Sequence, residues 1–144
     1  MLTVKRVYEA PSRRDGARVL VDRLWPRGLS KEAAVITVWL RDVAPSDALR
    51  VWFHAHPEGW VQFRKRYFKE LARPEATPAL EELYTLAAKR KYVTLLFASR
   101  NVERNNAVAL KELMEGAKKP PTGSGPAAVS MRKRSAMSKP GRRA

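Results

Sequence analysis

The chain has 144 residues, a length typical of a single domain. It contains no cysteine, which excludes a disulfide framework, thiolate metal sites and thiol catalysis. The formal net charge is +15, and residues 117–144 hold eight of the 29 lysines and arginines but no acidic residue. No apolar run approaches the roughly 18 residues of a membrane span. The N-terminus lacks the apolar segment of a signal peptide, so we expect a soluble cytoplasmic protein.

Four stretches have the composition of β-strands. They are residues 2–8, 17–21, 35–40 and 92–98. The last of them, YVTLLFA, is apolar on both faces, as expected for an interior parallel strand that helices cover. The stretch 35–40, VITVWL, is compatible with a strand or with the end of a helix, and its β-branched residues favour a strand.

Four helices are also predicted. Ser46 is a good N-cap for the first helix, and Pro57 fits the first turn of the second. Thr77 opens the third helix, and Asn101 caps the fourth, which Gly116 ends. Strands alternating with helices predict an α/β fold, a small layered domain with a mostly parallel sheet flanked by helices over residues 1–116.

The second helix combines an apolar stripe with a basic face. The stripe recurs at spacings of three and four and consists of Trp60, Phe63, Tyr67 and Leu71. The basic face over 64–69 consists of Arg64, Lys65, Arg66 and Lys69. We expect the stripe to pack on the sheet or on a neighbouring helix, while the charges are either solvated or contact phosphates.

The composition changes after Gly116. Residues 117–144 are rich in proline, glycine and basic residues and contain few apolar ones. Such a segment buries too little apolar surface to offset its conformational entropy, so we expect a disordered basic tail.

Charged residues follow two of the predicted strands. The sequence DRLWPRG comes directly after 17–21, and SRN follows 92–98 at a helix start. Ligands bind at the carboxyl edge of parallel sheets, and helix N-termini favour anions. We therefore expect a pocket for a small anionic or phosphorylated ligand. Its expected residues are Asp22, Arg23, Trp25, Arg27, Arg100 and Asn105.

Asp22 has several possible roles. It is a candidate catalytic residue, acting as a general base if the pocket raises its pKa. Adjacent cations would keep it ionised and weakly basic, which favours a role in orienting an arginine. A purely structural interpretation also stays open, in which Asp22 pairs with Arg23, Arg27 or a helix end and Trp25 fills space in the core.

No motif for a metal or a cofactor is present. His54 and His56 lie two residues apart without an evident third ligand, and a role for His56 in capping the next helix is the better interpretation. P-loop, GxGxxG, GxSxG and HExxH patterns are absent. We expect neither a cofactor nor a metal.

Four segments resemble the YeaO-like family of bacterial domains of unknown function. They are KRVYEAPSRRDGARVLVDRLWPRGLSK (5–31), APSDALRVWF (44–53), FRKRYFKEL (63–71) and VTLLFASRNVERNNAVAL (93–110). The resemblance implies a small cytoplasmic α/β domain without an established substrate. The family's hallmark positions fall on Asp22, Arg23, Trp25, Pro26, Arg27, Gly28, Asn105 and Asn106. Family members often have histidine at position 106, where this chain has Asn106. If that histidine acts as a general acid or base in the family, this protein lacks that group.

Three functions compete at this point. The first is a domain that binds, or acts on, a small anionic ligand at the sheet edge. The second is association with nucleic acid through the 64–69 basic face and the tail, and the third is an interaction module with a protein partner. Dependence of binding on the tail separates the first function from the second. The basic residues of the tail are Lys118, Lys119, Arg132, Lys133, Arg134, Lys139, Arg142 and Arg143.

Overall fold

Four parallel strands form one sheet in the computed structural model, which describes residues 1–117. The strands are β1 (Leu2–Arg6), β2 (Ala17–Leu20), β3 (Val38–Trp39) and β4 (Val93–Phe97). Their order is β1-β4-β2-β3, and every neighbouring pair is parallel. Strand β4 lies between β1 and β2 and is buried along its whole length, so the predicted interior parallel strand and the α/β fold are confirmed.

Five α-helices accompany the sheet within residues 1–117. They are α1 (Lys31–Ala34), α2 (Asp47–Ala55), α3 (Trp60–Leu71), α4 (Thr77–Lys89) and α5 (Asn106–Ala117). Short 3-10 turns occupy Arg13–Asp15, Arg41–Val43 and Pro74–Ala76. The predicted N-cap of α2 is confirmed, because the Leu49 N–H donates to Ser46 Oγ at 3.2 Å.

The third predicted strand is shorter than its composition indicates. Within 35–40, Val35 ends α1 in the left-handed conformation with φ 50°. The two residues of β3 follow, and they pair with Val19 and Leu20 at the edge of the sheet. The stretch therefore contains both of the alternatives that its sequence allowed, a helix end and a strand.

The second predicted helix begins later than expected. Helix α3 starts at Trp60, because a turn closed by the Gly59 N–H and the His56 carbonyl at 2.9 Å precedes it. The expected role of His56 as the N-cap of this helix was wrong. His56 instead ends α2, where its ring nitrogen Nδ1 lies 2.9 Å from the Trp52 carbonyl.

The fourth predicted helix also begins later. Helix α5 starts at Asn106, where Asn105 Oδ1 accepts a hydrogen bond from the Val108 N–H at 3.0 Å. Asn101, the expected cap, accepts hydrogen bonds from the N–H groups of 103–104 and forms a loop. An asparagine that bonds to nearby N–H groups stabilises a turn as readily as a helix start, so sequence alone did not distinguish the two.

The apolar stripe of α3 lies at the centre of the larger core. Phe63, Tyr67 and Leu71 are fully buried, and the half-buried Trp60 packs against the same cluster. A smaller cluster covers the other face of the sheet and includes Leu20, whereas its neighbour Val19 belongs to the larger core. This alternation is the ordinary consequence of strand geometry, and it buries both faces of the sheet.

A buried ion cluster fixes the start of β2. Arg18 Nη1 lies 2.6 Å from Asp15 Oδ2, and Lys5 Nζ lies 3.1 Å from Asp15 Oδ1. The pKa of Asp15 lies below the ordinary aspartate value. Burial by itself would raise it, but the hydrogen bonds from the Ser12 N–H, Lys5 and Arg18 outweigh the effect of burial. Arg18 also donates to the Ala34 carbonyl at the end of α1. These polar groups bond to one another, which gives the cluster a structural role.

The predicted basic tail lies outside the described residues from Lys118 onward. Helix α5 extends to Ala117, one residue past the predicted domain boundary. No helix within residues 1–117 is both long enough and apolar enough to cross a membrane.

Two buried tyrosines provide a test of the core. The Tyr67 hydroxyl donates to the Val43 carbonyl, whereas the Tyr84 hydroxyl is buried without a hydrogen-bond partner in the described residues. We expect Tyr67→Phe to lower the free energy of unfolding by about 1–3 kcal/mol, because it leaves a buried carbonyl unsatisfied. Tyr84→Phe is the matched control and should be neutral or stabilising. Urea denaturation measures both, and equal losses would contradict this account.

Candidate functional site

The parallel register of β2 and β4 brings their carboxyl ends together. Leu20 lies beside Leu96, so the residues that follow the two strands also meet. Asp22 Oδ2 accepts a hydrogen bond from the Ala98 N–H at 2.9 Å. Its second oxygen, Oδ1, accepts one from Asn106 Nδ2 at 3.0 Å. One carboxylate therefore joins the end of β2, the end of β4 and the first residue of α5.

The buried position of Asp22 changes the pKa of its carboxyl group. Burial raises the pKa of the carboxyl, and the hydrogen bonds from Asn106 and the Ala98 N–H together with the charge of Arg50 counteract part of this rise. Within residues 1–117 no ion pair joins Asp22 to an arginine. The expected arginine partner is thus replaced by a backbone N–H and an amide.

A pocket of about 730 Å³ opens at this edge of the sheet. Most of its lining comes from Tyr8, two residues after β1, from the loop after β2, from α2, from residues 98–105 and from Asn106 at the start of α5. All six residues of the predicted ligand site line this one pocket, namely Asp22, Arg23, Trp25, Arg27, Arg100 and Asn105. The structure therefore brings together the two clusters that sequence placed after separate strands.

The lining of the pocket is strongly basic. Asp22 is the one acidic residue among the described lining residues, against five arginines. The side chains of Arg27, Arg100 and Arg104 are exposed and form no hydrogen bond or ion pair within residues 1–117. Uncompensated guanidinium groups around a cleft give it a positive potential that attracts anions. The five arginines are Arg23, Arg27, Arg50, Arg100 and Arg104.

Arg23 and Asn105 hold the pocket walls in place. Arg23 donates through Nε and Nη2 to the carbonyl groups of 44–45 at 3.2 and 3.1 Å, which ties the loop after β2 to the segment before α2. Asn105 is 2% exposed, and besides capping α5 it donates to the Asn101 carbonyl at 2.8 Å. The polar atoms of Asn105 are thus committed to shaping the loop.

Trp25 is fixed within a tight turn. Its Nε1 donates to the Leu29 carbonyl at 2.6 Å, and its ring packs edge-on against Trp39 with centroids 5.5 Å apart. Gly28 adopts φ 75° in this turn, a conformation that favours glycine over residues with a side chain. The half-buried indole therefore forms a rigid part of the pocket wall.

Sequence reasoning missed several residues of the lining. Arg50, Phe53 and His54 come from α2, where spacings of three and four place them on one side of the helix. Tyr8 follows β1, and Arg104 belongs to the loop before α5. The N-cap at Ser46 predicted that this helix exists, but nothing local indicated that it borders the sheet edge.

The two histidines have separate surroundings. His54 lines the pocket, whereas His56 stacks on Trp52 with ring centroids 4.9 Å apart. In the part of the chain that the structure describes, no group of three or more potential metal-ligating side chains is assembled.

Similarity to known proteins decides the family. A family model described as the inactive DUF488-N3 subclade matches residues 1–130. The chain belongs to this subclade. The DUF488-N3 match covers the whole described fold, including every residue that lines the pocket.

Named relatives support the same assignment. The chain is 44% identical over 113 residues to uncharacterized proteins of Mycobacterium tuberculosis and Mycobacterium bovis, spanning 78% of this chain and 92% of theirs. It is 39% identical over 110 residues to the uncharacterized protein YeaO of Escherichia coli K12, spanning 75% and 91%. These relatives confirm the YeaO-like resemblance. Comparison with solved structures finds no match.

The titration of Asp22 is testable. We expect its carboxyl to titrate above the ordinary aspartate pKa of about 3.9, because burial disfavours the charged form. The folded chain then binds this proton more tightly than the unfolded chain, so the stability contributed by Asp22 falls as pH rises through the raised pKa. Asn106→Ala removes a hydrogen bond to the carboxylate and should raise the pKa further. NMR titration of the carboxyl carbon measures both values.

Asn101→Ala is the matched control for this titration. Asn101 lines the same pocket but donates no hydrogen bond to Asp22. A pKa shift of equal size in the two variants would show that the Asn106 amide has no particular role at Asp22.

Proposed function

We propose that the protein binds a small anionic ligand, with phosphate esters as the favoured class, in the pocket at the carboxyl edge of the sheet. The observation that carries the proposal is the set of five arginines that faces a single acid among the described lining residues. Arginine suits this task because its planar fork of donors matches phosphate and carboxylate oxygens, whereas lysine offers a point charge.

The position of the pocket supports the proposal. It lies where β2 and β4 end and next to the first turn of α5, whose N–H groups favour negative charge. Open parallel sheets bind their ligands at this edge. A volume of about 730 Å³ is also within the range of small-molecule pockets, about 300–1,000 Å³.

Binding is favoured over catalysis for two reasons. The matching subclade is described as inactive. In addition, both oxygens of Asp22, the candidate general base, accept hydrogen bonds from Ala98 and Asn106. These bonds occupy lone pairs on both oxygens and counteract part of the rise in pKa that burial causes, so they oppose the use of Asp22 as a general base even though its pKa stays raised.

The exposed arginines provide the test. We expect Arg100→Ala combined with Arg104→Ala to weaken binding of ribose 5-phosphate about tenfold or more, because a charge-assisted hydrogen bond contributes about 1.5–3 kcal/mol. Isothermal titration calorimetry on the full chain measures this affinity. Arg27→Lys keeps the charge but loses the planar fork, so we expect a smaller loss of affinity in the same experiment.

Controls match these changes outside the pocket. Arg13 and Arg90 are exposed and do not line it. Arg13→Ala combined with Arg90→Ala removes the same charge, and Arg90→Lys repeats the conservative change. If the Arg100 and Arg104 variant binds ribose 5-phosphate as tightly as the unaltered chain, these arginines do not form the site.

A second candidate function is sequence-independent binding of nucleic acid through the tail and the 64–69 basic face. Lys65, Arg66 and Lys69 are exposed and form no ion pair within residues 1–117, which favours this function. Arg64 is different, since its Nε lies 3.0 Å from Glu112 Oε1. The eight basic residues of the tail lie outside the described residues.

The salt dependence of DNA binding tests the second function. If about five to eight phosphate contacts form, the slope of log affinity against log salt should be about −5 to −7. Replacing the eight basic residues of the tail by glutamine in the full chain should flatten this slope. The pocket variant of Arg100 and Arg104 serves as the control. A slope that the tail substitutions leave unchanged would exclude the tail as the contact.

A further inference from the structure

Asn106 presents a hydrogen-bond acceptor to the pocket. Its Nδ2 donates to the Val21 carbonyl at 2.9 Å and to Asp22 Oδ1 at 3.0 Å, which uses both amide hydrogens. Turning the amide over would break both bonds, so its orientation is fixed. Asn106 Oδ1 accepts no hydrogen bond from residues 1–117, and Asn106 lines the pocket. This oxygen is therefore available to a donor group of a ligand.

Two kinds of polar surface thus share one pocket. Asp22 and Asn106 form an acceptor floor, while the exposed Arg27, Arg100 and Arg104 supply donors and positive charge. A phosphate oxygen placed against the acceptor floor would meet other acceptors and be repelled. The phosphate group therefore belongs on the arginines, and the ligand needs hydroxyl or N–H groups to satisfy the floor. Inorganic phosphate can accept hydrogen bonds from the arginines, but it leaves the acceptor floor without a donor.

Aromatic side chains form a third kind of surface. Tyr8, Trp25 and Phe53 line the pocket, and each is exposed or half-buried. Trp25 is held by its bond to Leu29 and by its packing on Trp39. A ring that is already immobilised loses little entropy when a planar group stacks on it, and nucleic acid bases stack on such rings regardless of sequence.

We infer that the ligand class is a nucleoside monophosphate. Its phosphate lies on the exposed arginines, its sugar hydroxyls or base N–H groups bond to the acceptor floor, and its base stacks against Trp25. This inference rests on the proposed function, because it names the ligand of the same pocket. The volume of about 730 Å³ has room for all three parts of such a ligand.

A series of probes tests the inference on the full chain by isothermal titration calorimetry. The probes are inorganic phosphate, ribose 5-phosphate, adenosine and the four nucleoside monophosphates AMP, GMP, CMP and UMP. At least one nucleotide should bind about tenfold more tightly than ribose 5-phosphate, a difference of about 1.4 kcal/mol. Ribose 5-phosphate should in turn bind more tightly than inorganic phosphate, and adenosine more weakly than AMP.

The outcomes separate the two proposals. Equal affinity for ribose 5-phosphate and all four nucleotides overturns the nucleotide inference and leaves the proposed function standing. Failure of every phosphate-bearing probe to bind overturns both. Tighter binding of adenosine than of AMP overturns the assignment of the arginines to the phosphate.

A tryptophan variant tests where the base lies. Trp25→Leu should lower the affinity for the best nucleotide more than it lowers the affinity for ribose 5-phosphate, so that the nucleotide loses its advantage over ribose 5-phosphate. Trp52→Leu is the matched control, because Trp52 is also half-buried but does not line the pocket. The melting temperature without ligand reports on the fold of each variant, and the probe series on the unaltered chain decides the ligand class even if Trp25→Leu fails to fold. Unchanged nucleotide affinity in folded Trp25→Leu overturns the stacking on Trp25.

Discussion

The parallel pairing of β2 with β4 is the constraint on which the pocket depends. These strands are separated by more than 70 residues in the chain, yet their register places Asp22 against the Ala98 N–H and beside Asn106. Removing a carboxylate from water is costly unless donors replace the water, and here a backbone N–H and a side-chain amide do so. A slip of the register would leave Asp22 without its Ala98 partner and separate the two loops that line the pocket.

Polar side chains around the pocket divide into two groups. Arg23, Trp25 and Asn105 bond to carbonyl or N–H groups of the protein and hold three loops in place. Arg27 and Arg100 are exposed and make no such bonds within residues 1–117. This division gives a hydrogen-bonded frame with exposed guanidinium groups in its lining. A frame that is ordered before binding reduces the entropy cost of capturing a ligand.

Asn106 both holds the frame together and leaves its side-chain oxygen available in the pocket. Because it donates to Asp22 and to the Val21 carbonyl, it fixes the start of α5 relative to β2. The same two bonds determine which of its atoms remains available to the pocket. A description of the subclade as inactive agrees with a floor in which the candidate base is already hydrogen-bonded.

Sequence by itself determined the burial pattern of this protein. The apolar run of β4 and the stripe of Phe63, Tyr67 and Leu71 are local patterns, and strand and helix geometry translate them directly into buried faces. The sequence also placed the DRLWPRG segment directly after a strand. That placement led to the prediction of a pocket at the sheet edge, and the six residues predicted for it line one pocket in the structure. Only the tertiary structure decided that Asp22 bonds to Asn106 rather than to an arginine, and that α2 borders the pocket. Hydrogen-bond partners and packed neighbours far apart in sequence are set by strand register and helix docking, which no local periodicity records.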